Sequence, residues 1–194
     1  MYMTKNGSIT SRRDLLTAIA IAPVGIASPW DAAIAALPHH DEPVVLRRTR
    51  AGRDESRFRY HNAESFFLGL EKGIVRDQRD RLYQTGIVLQ LGLSSHLFDV
   101  GFTDQWCARH VGLNVARSLA YANASGFGFE SAEFDLLVAI LSPYAKWRSP
   151  QSREHAEHPP FTPEHIRMLT RVLLDHVHHV TGHPRPRGWN ARCA

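Results

Sequence analysis

The stretch TDQWCARHVGLNVARSLAYAN, residues 103–123, decides how the rest of the chain is read. At about 100° per residue, Cys107, Val111, Val115, Ser118, Leu119 and Ala122 fall on one side of a helix, with Trp106, Leu113 and Ala120 on the adjoining flank. Thr103 suits an N-cap, Asp104 puts negative charge in the first turn, and Ser125-Gly126 supplies a stop. Small residues at Ala116, Ser118, Ala120 and Ala122 let neighbouring helices approach closely. The spacing predicts one core helix here, with the other segments packed around it.

Outward from that stretch the same period recurs. Asn62 reads as an N-cap before Phe66, Phe67, Leu70 and Ile74, and Leu82, Leu89, Leu93 and Leu97 carry the pattern on as one long helix or as two joined near Gly86. Gly69 and Gly73 form a small-xxx-small pair suited to close packing. Gly101 ends that region. Phe134, Leu137, Val138 and Leu141 form the face of a further helix that Pro143 should stop. The clearest start is Thr162 as N-cap with Pro163 and Glu164 behind it; Ile166, Leu169, Leu173, Val177 and Val180 share one face, and Gly182 with Pro184 closes the helix. No stretch is strand-rich. The expectation is an all-α protein, an irregular four- to five-helix bundle over residues 62–183. A leader (1–36) and a polar, arginine-rich linker (37–61) precede the bundle, and a basic mobile tail (184–194) follows it.

A chain of 194 residues with 43% hydrophobic content suits a single core. The formal charge is +4, of which Lys5, Arg12, Arg13 and Asp14 supply half, so the remainder of the chain is weakly basic. Lys5, Lys72 and Lys146 are the only lysines; the pI of 9.4 reflects arginine. Cys107 and Cys193 allow at most one internal disulfide, and a buried structural thiol is the better reading of Cys107.

The N-terminus carries the most specific signal. Ser11-Arg12-Arg13-Asp14-Leu15-Leu16 resembles the twin-arginine export motif, Ser/Thr-Arg-Arg-x-Phe-Leu-Lys, with Leu15 in place of Phe and Thr17 in place of Lys. A modest apolar run, residues 15–27, follows, and then small residues that permit cleavage after Ala27 or near Ala35. The run is too short to span a membrane, so no integral membrane segment is expected. The resemblance implies an export partner, the twin-arginine machinery, and a periplasmic or exported destination. Without it, residues 15–27 would be part of a cytoplasmic fold.

Three groups of residues could carry chemistry. Arg47, Arg48, Arg50, Arg53, Arg57 and Arg59 could form a phosphate-binding arm, but Asp54 and Glu55 interrupt them, and a solvated linker lying over the bundle, as a short hairpin or two extended strips, is the preferred reading. His165, His176, His179 and His183 fall within roughly a 60° arc of the last helix, an arrangement a metal could use, with His155 and His158 in the preceding loop as further ligands. No H-E-x-x-H or paired Glu-x-x-His set supports that, and a hydrated flank is preferred. Asp104, Cys107 and His110 mimic a thiol and base on one helix. Trp106, Trp147, Tyr121, Tyr144, Phe127, Phe129 and Phe134 could line a pocket, though such residues more often form core.

Nucleotide-binding, nucleophile-elbow and c-haem attachment motifs are absent from the sequence, so no catalytic residue and no cofactor is assigned. The expectation is an exported helical protein with a binding or structural role, more a non-enzyme than an enzyme. Two other readings compete with it: a cytoplasmic accessory or regulatory protein that binds nucleic acid through the arginine-rich segment, and a metal-dependent enzyme built on the histidine flank.

Overall fold

The computed structural model describes residues 31–37, 44–148 and 160–186. These residues form seven α-helices and one 3-10 turn, with no strand among them. In chain order they are α1 (Asp31–Ala35), α2 (Arg50–Glu71), α3 (Gln78–Val100), α4 (Asp104–His110), α5 (Val115–Ala124), α6 (Ala132–Leu141), the 3-10 turn Tyr144–Arg148, and α7 (Pro163–Thr181). Five of these α-helices have ten residues or more. Among the described residues, no helix is long and apolar enough to cross a membrane.

The organising helix is α3, not the stretch around residue 111. It packs against α2, α7, α5, α6 and the 3-10 turn, and every residue in positions 92–100 is buried. A helix covered on all sides loses the polar face that makes a helix legible as amphipathic. Asp77 caps its start, accepting from the backbone amides of Arg79 at 2.9 Å and Asp80 at 3.1 Å. Gly101 caps its end in the left-handed region, φ 116°, with the Phe102 amide reaching back to the Leu97 carbonyl. Gly86 is no joint: it lies mid-helix, where a Cβ would sit 2.3 Å from the Cβ of Tyr144, so the 3-10 turn can seat only against glycine. The break expected near Gly86 falls instead between Glu71 and Gln78, and Gly73, φ 63°, turns the chain there.

Residues 103–123 form two short helices. The predicted cap holds, since the Thr103 hydroxyl accepts from the Trp106 amide at 3.2 Å. Gly112, however, adopts φ 59°, and Asn114 starts a new helix by accepting from the Arg117 amide at 3.0 Å. Val111, Leu113 and Val115 kept the apolar pattern running across this break.

The larger correction concerns the expected linker. Residues 50–61 are the first half of α2, which starts twelve residues before Asn62; Thr49 caps it by accepting from the Gly52 amide at 3.0 Å. Its buried face is Ser56, Tyr60, Ala63, Glu64, Phe67 and Leu70. The spacing is helical, but two of the six are polar, so hydrophobicity alone does not reveal it. Of the described part of that linker, only residues 37 and 44–49 are non-helical.

Glu64 is fully buried, accepting from the Tyr60 hydroxyl at 2.7 Å and from the Arg171 guanidinium at 2.6 Å. Arg171 also lies over the Phe67 ring, 4.8 Å from its centroid. This charged contact ties α2 to α7 beside an apolar cluster of Ala63, Phe67, Leu70, Val88 and Leu174. On the opposite side, Ile34 of α1 is 1% exposed and belongs to the main core.

Candidate functional site

The densest set of polar side chains lies where α2, α3 and the end of α7 meet. Thr162 opens α7 and Gly182 closes it, as the sequence implies, and Gly182 has φ 67°. That left-handed residue takes the chain off the helix axis, so His183 does not continue the helical projection. It turns inward and is 1% exposed.

Its Nε2 lies 2.6 Å from the hydroxyl of Ser56, which is itself fully buried. The Ser56 oxygen is also 2.6 Å from the Ser95 carbonyl and 3.1 Å from the Ser95 hydroxyl. Two oxygens at 2.6 Å need a proton between them, and a carbonyl has none, so the Ser56 hydroxyl donates to Ser95. Ser56 must then accept from His183, which makes His183 the Nε2–H tautomer with a bare Nδ1. This wiring is the reverse of nucleophile activation, in which the imidazole takes the serine proton. His183 Nδ1 has no hydrogen-bond partner among the described residues.

Around this pair, Arg53 donates to the Asp99 carboxylate and, at 3.1 Å, to the Thr181 carbonyl; Arg48 stands 3.7 Å from the other Asp99 oxygen. The Tyr60 ring faces His61, His178 and His183 at centroid distances of 6.1, 6.3 and 6.3 Å. Burial lowers the pKa of His183 from 6.5 to about 4, and the positive charge of Arg53 acts in the same direction.

The four histidines expected to share a flank go to four different places. His165 Nε2 is 3.3 Å from Glu133 on α6, and His176 Nε2 donates to the Phe127 carbonyl at 2.7 Å. His179 faces outward, and His183 turns in to Ser56. Among the described residues no group of three or more His, Cys, Asp or Glu side chains is placed to hold a metal ion. His155 and His158 lie outside the described residues.

Four of the six arginines in residues 47–59 are engaged within the fold. Arg48 and Arg53 meet Asp99, Arg57 is 3.8 Å from Asp54, and Arg59 reaches both Glu55 and Asp104 at 3.0 Å. Arg47 and Arg50 are exposed. Acidic neighbours of this kind hold guanidinium groups away from phosphate.

Cys107 is buried, and burial with the nearby Asp104 charge pushes its thiol up to about 12. His110 stacks on Trp106 at 4.6 Å between ring centroids. Cys193, its only conceivable disulfide partner within the chain, lies outside the described residues. The aromatic residues pack on one another: Trp106 stands 4.7 Å from Phe102 and 5.0 Å from Tyr121, and Phe129 stands 4.9 Å from Phe134. Trp147 and Tyr144 are buried beside α3, with Lys146 over the Trp147 ring. These rings are core.

Sequence reasoning gave Ser56 and Ser95 no role and took Asp99 only as part of a segment end, because none of the three stands in a motif. The one available signal was Gly182, a stop that excludes His183 from the helix. No family model, no curated protein and no solved structure matches the chain.

Proposed function

We propose that the chain is an exported helical protein with a binding or structural role. The observation that carries the second half of this reading is the wiring of Ser56 and His183: the side chains most able to do chemistry donate and accept inside the fold. Support for export comes from the order of features in the sequence, since Lys5, the Arg12-Arg13 pair, a modest apolar run and small residues succeed one another. Ser11, Arg12, Arg13, Leu15 and Leu16 lie outside the described residues.

The core position of Ile34 bears on processing. Cleavage after Ala27 keeps Ile34 in the mature chain, whereas cleavage near Ala35 removes a residue from the main core. Our reading therefore places processing after Ala27. The test is to fractionate cells making the native chain and the Arg12→Lys, Arg13→Lys double variant, and to sequence the mature N-terminus. Native protein outside the cytoplasm, starting at Ser28, with the double variant retained at full length, is the expected result. Full-length native chain in the cytoplasm would overturn export and favour a cytoplasmic role.

A further inference from the structure

The four residues after α7, 182–185, are held down almost entirely by imidazoles. His183 Nε2 donates to Ser56, His178 Nδ1 donates to the His183 carbonyl at 2.6 Å, and His61 Nε2 donates to the Pro184 carbonyl at 3.0 Å. Arg185 adds one ion pair, to Asp175 at 2.7 Å. The segment lies against the Ser56 hydroxyl and the Tyr60 ring, and its residues belong to no helix.

We propose that residues 182–185 are a proton-released clasp: a proton on His183 lifts the segment from α2 and α3 while the helices stay packed, uncovering the Ser56, Ser95 and Tyr60 side chains.

The geometry gives the reason. A second proton on His183 must go to Nδ1, which is buried and has no acceptor among the described residues. From α2 the ring faces Arg53, Arg57, Tyr60 and His61; from α3 it faces Asp99; from α7 it has His178 beside it, and Arg185 follows in the same segment. Asp99 is the one carboxylate in that set, and Arg53 and Arg48 already neutralise it. An imidazolium would therefore sit among like charges without a partner, a state avoided by moving the ring into water. Lifting four residues exposes far less apolar surface than separating the helices, so the local route opens first.

His183 binds a proton at about pH 4 in place and near 6.5 when free, so the opening equilibrium should rise about 25-fold between pH 7.5 and pH 5.0. Native-state hydrogen exchange of the full chain reads this from the amide of His183, which donates to the Thr181 hydroxyl at 3.4 Å in the closed segment, after correction for intrinsic exchange. The Gly182 amide, bonded to the His178 carbonyl of α7, and the α3 amides around His96 serve as internal references for fraying of α7 and for global unfolding. The expected result is the 25-fold rise at His183 with smaller changes at Gly182 and in α3. In His183→Gln, whose amide nitrogen can still donate to Ser56, the rise should disappear while protection at pH 7.5 persists. Equal pH dependence in α3 and the clasp, or a flat response in the native chain, would overturn the proposal, as would an unchanged response in His183→Gln. The native-chain comparison stands even where the variant does not fold.

Discussion

His96 and His183 are chemically alike and mechanically different. Both are buried, both have an Nδ1 without a hydrogen-bond partner among the described residues, and burial lowers the pKa of each to about 4. His96 Nε2 lies 3.3 Å from the Ser125 hydroxyl, whose own proton goes to the Tyr121 and Ala122 carbonyls, so His96 is also an Nε2–H tautomer. But His96 sits in the last turns of α3, within its fully buried stretch and against Phe127, whereas His183 sits in a short segment after a helix end. A proton can reach His96 only if the core opens, while His183 can leave the core on its own. The difference teaches that the free energy of placing a charge in a buried site depends on the smallest unit that must move to relieve it.

The comparison breaks most visibly if the region around His96 is not the rigid one. Leu93, fully buried one turn before His96, should cost about 2 to 5 kcal/mol of global stability when replaced by Ala, measured by urea denaturation. A loss below about 0.5 kcal/mol would mean that α3 is not the centre of the core.

Acid sharpens the comparison at smaller amplitude. His96 in the fold titrates below its unfolded value of 6.5, so its contribution is fully present above that pH and is lost as pH falls toward 4. Between pH 7.5 and 5.5 this amounts to about 1 kcal/mol of global stability from His96. His183 should add to the loss only as far as the clasp remains closed in the states that unfold. Global stability that rises on acidification over that range would contradict both buried imidazoles.

The smallest effect belongs to the outward histidine. His179→Ala should change stability by less than about 0.5 kcal/mol and leave the clasp untouched, because the side chain faces solvent on α7. A larger loss would place it in a contact that the fold does not assign to it.

Which parts of this were legible beforehand follows from how each element hides or displays its polar groups. The last helix was readable from Thr162, Pro163 and Gly182, because caps are chemical signals that do not depend on tertiary packing. Its hydrated histidine flank holds for His179 but not for His183, since the projection ran through the glycine that ends the helix. The first half of α2 is hidden because Ser56 occupies a buried position, and a polar residue becomes a core residue only through partners far away in sequence, here Ser95 and His183. The split of residues 103–123 was written in Gly112 and Asn114, but the apolar residues on either side masked it. The all-α architecture holds despite these errors because each misplaced boundary only moves a helix end and none turns a helix into a strand.

The most direct test of the account is the protonation state of His183 in the native chain. Long-range proton–nitrogen correlation spectra of the imidazole rings, recorded from pH 7.5 down to 4.5, distinguish the two neutral tautomers and the imidazolium. The account predicts that His183 in the closed clasp is a neutral Nε2–H tautomer, hydrogen-bonded to Ser56 and still uncharged at pH 6. A neutral Nδ1–H tautomer, or a His183 that titrates near 6.5 with no change in the exchange of its own amide, would contradict it.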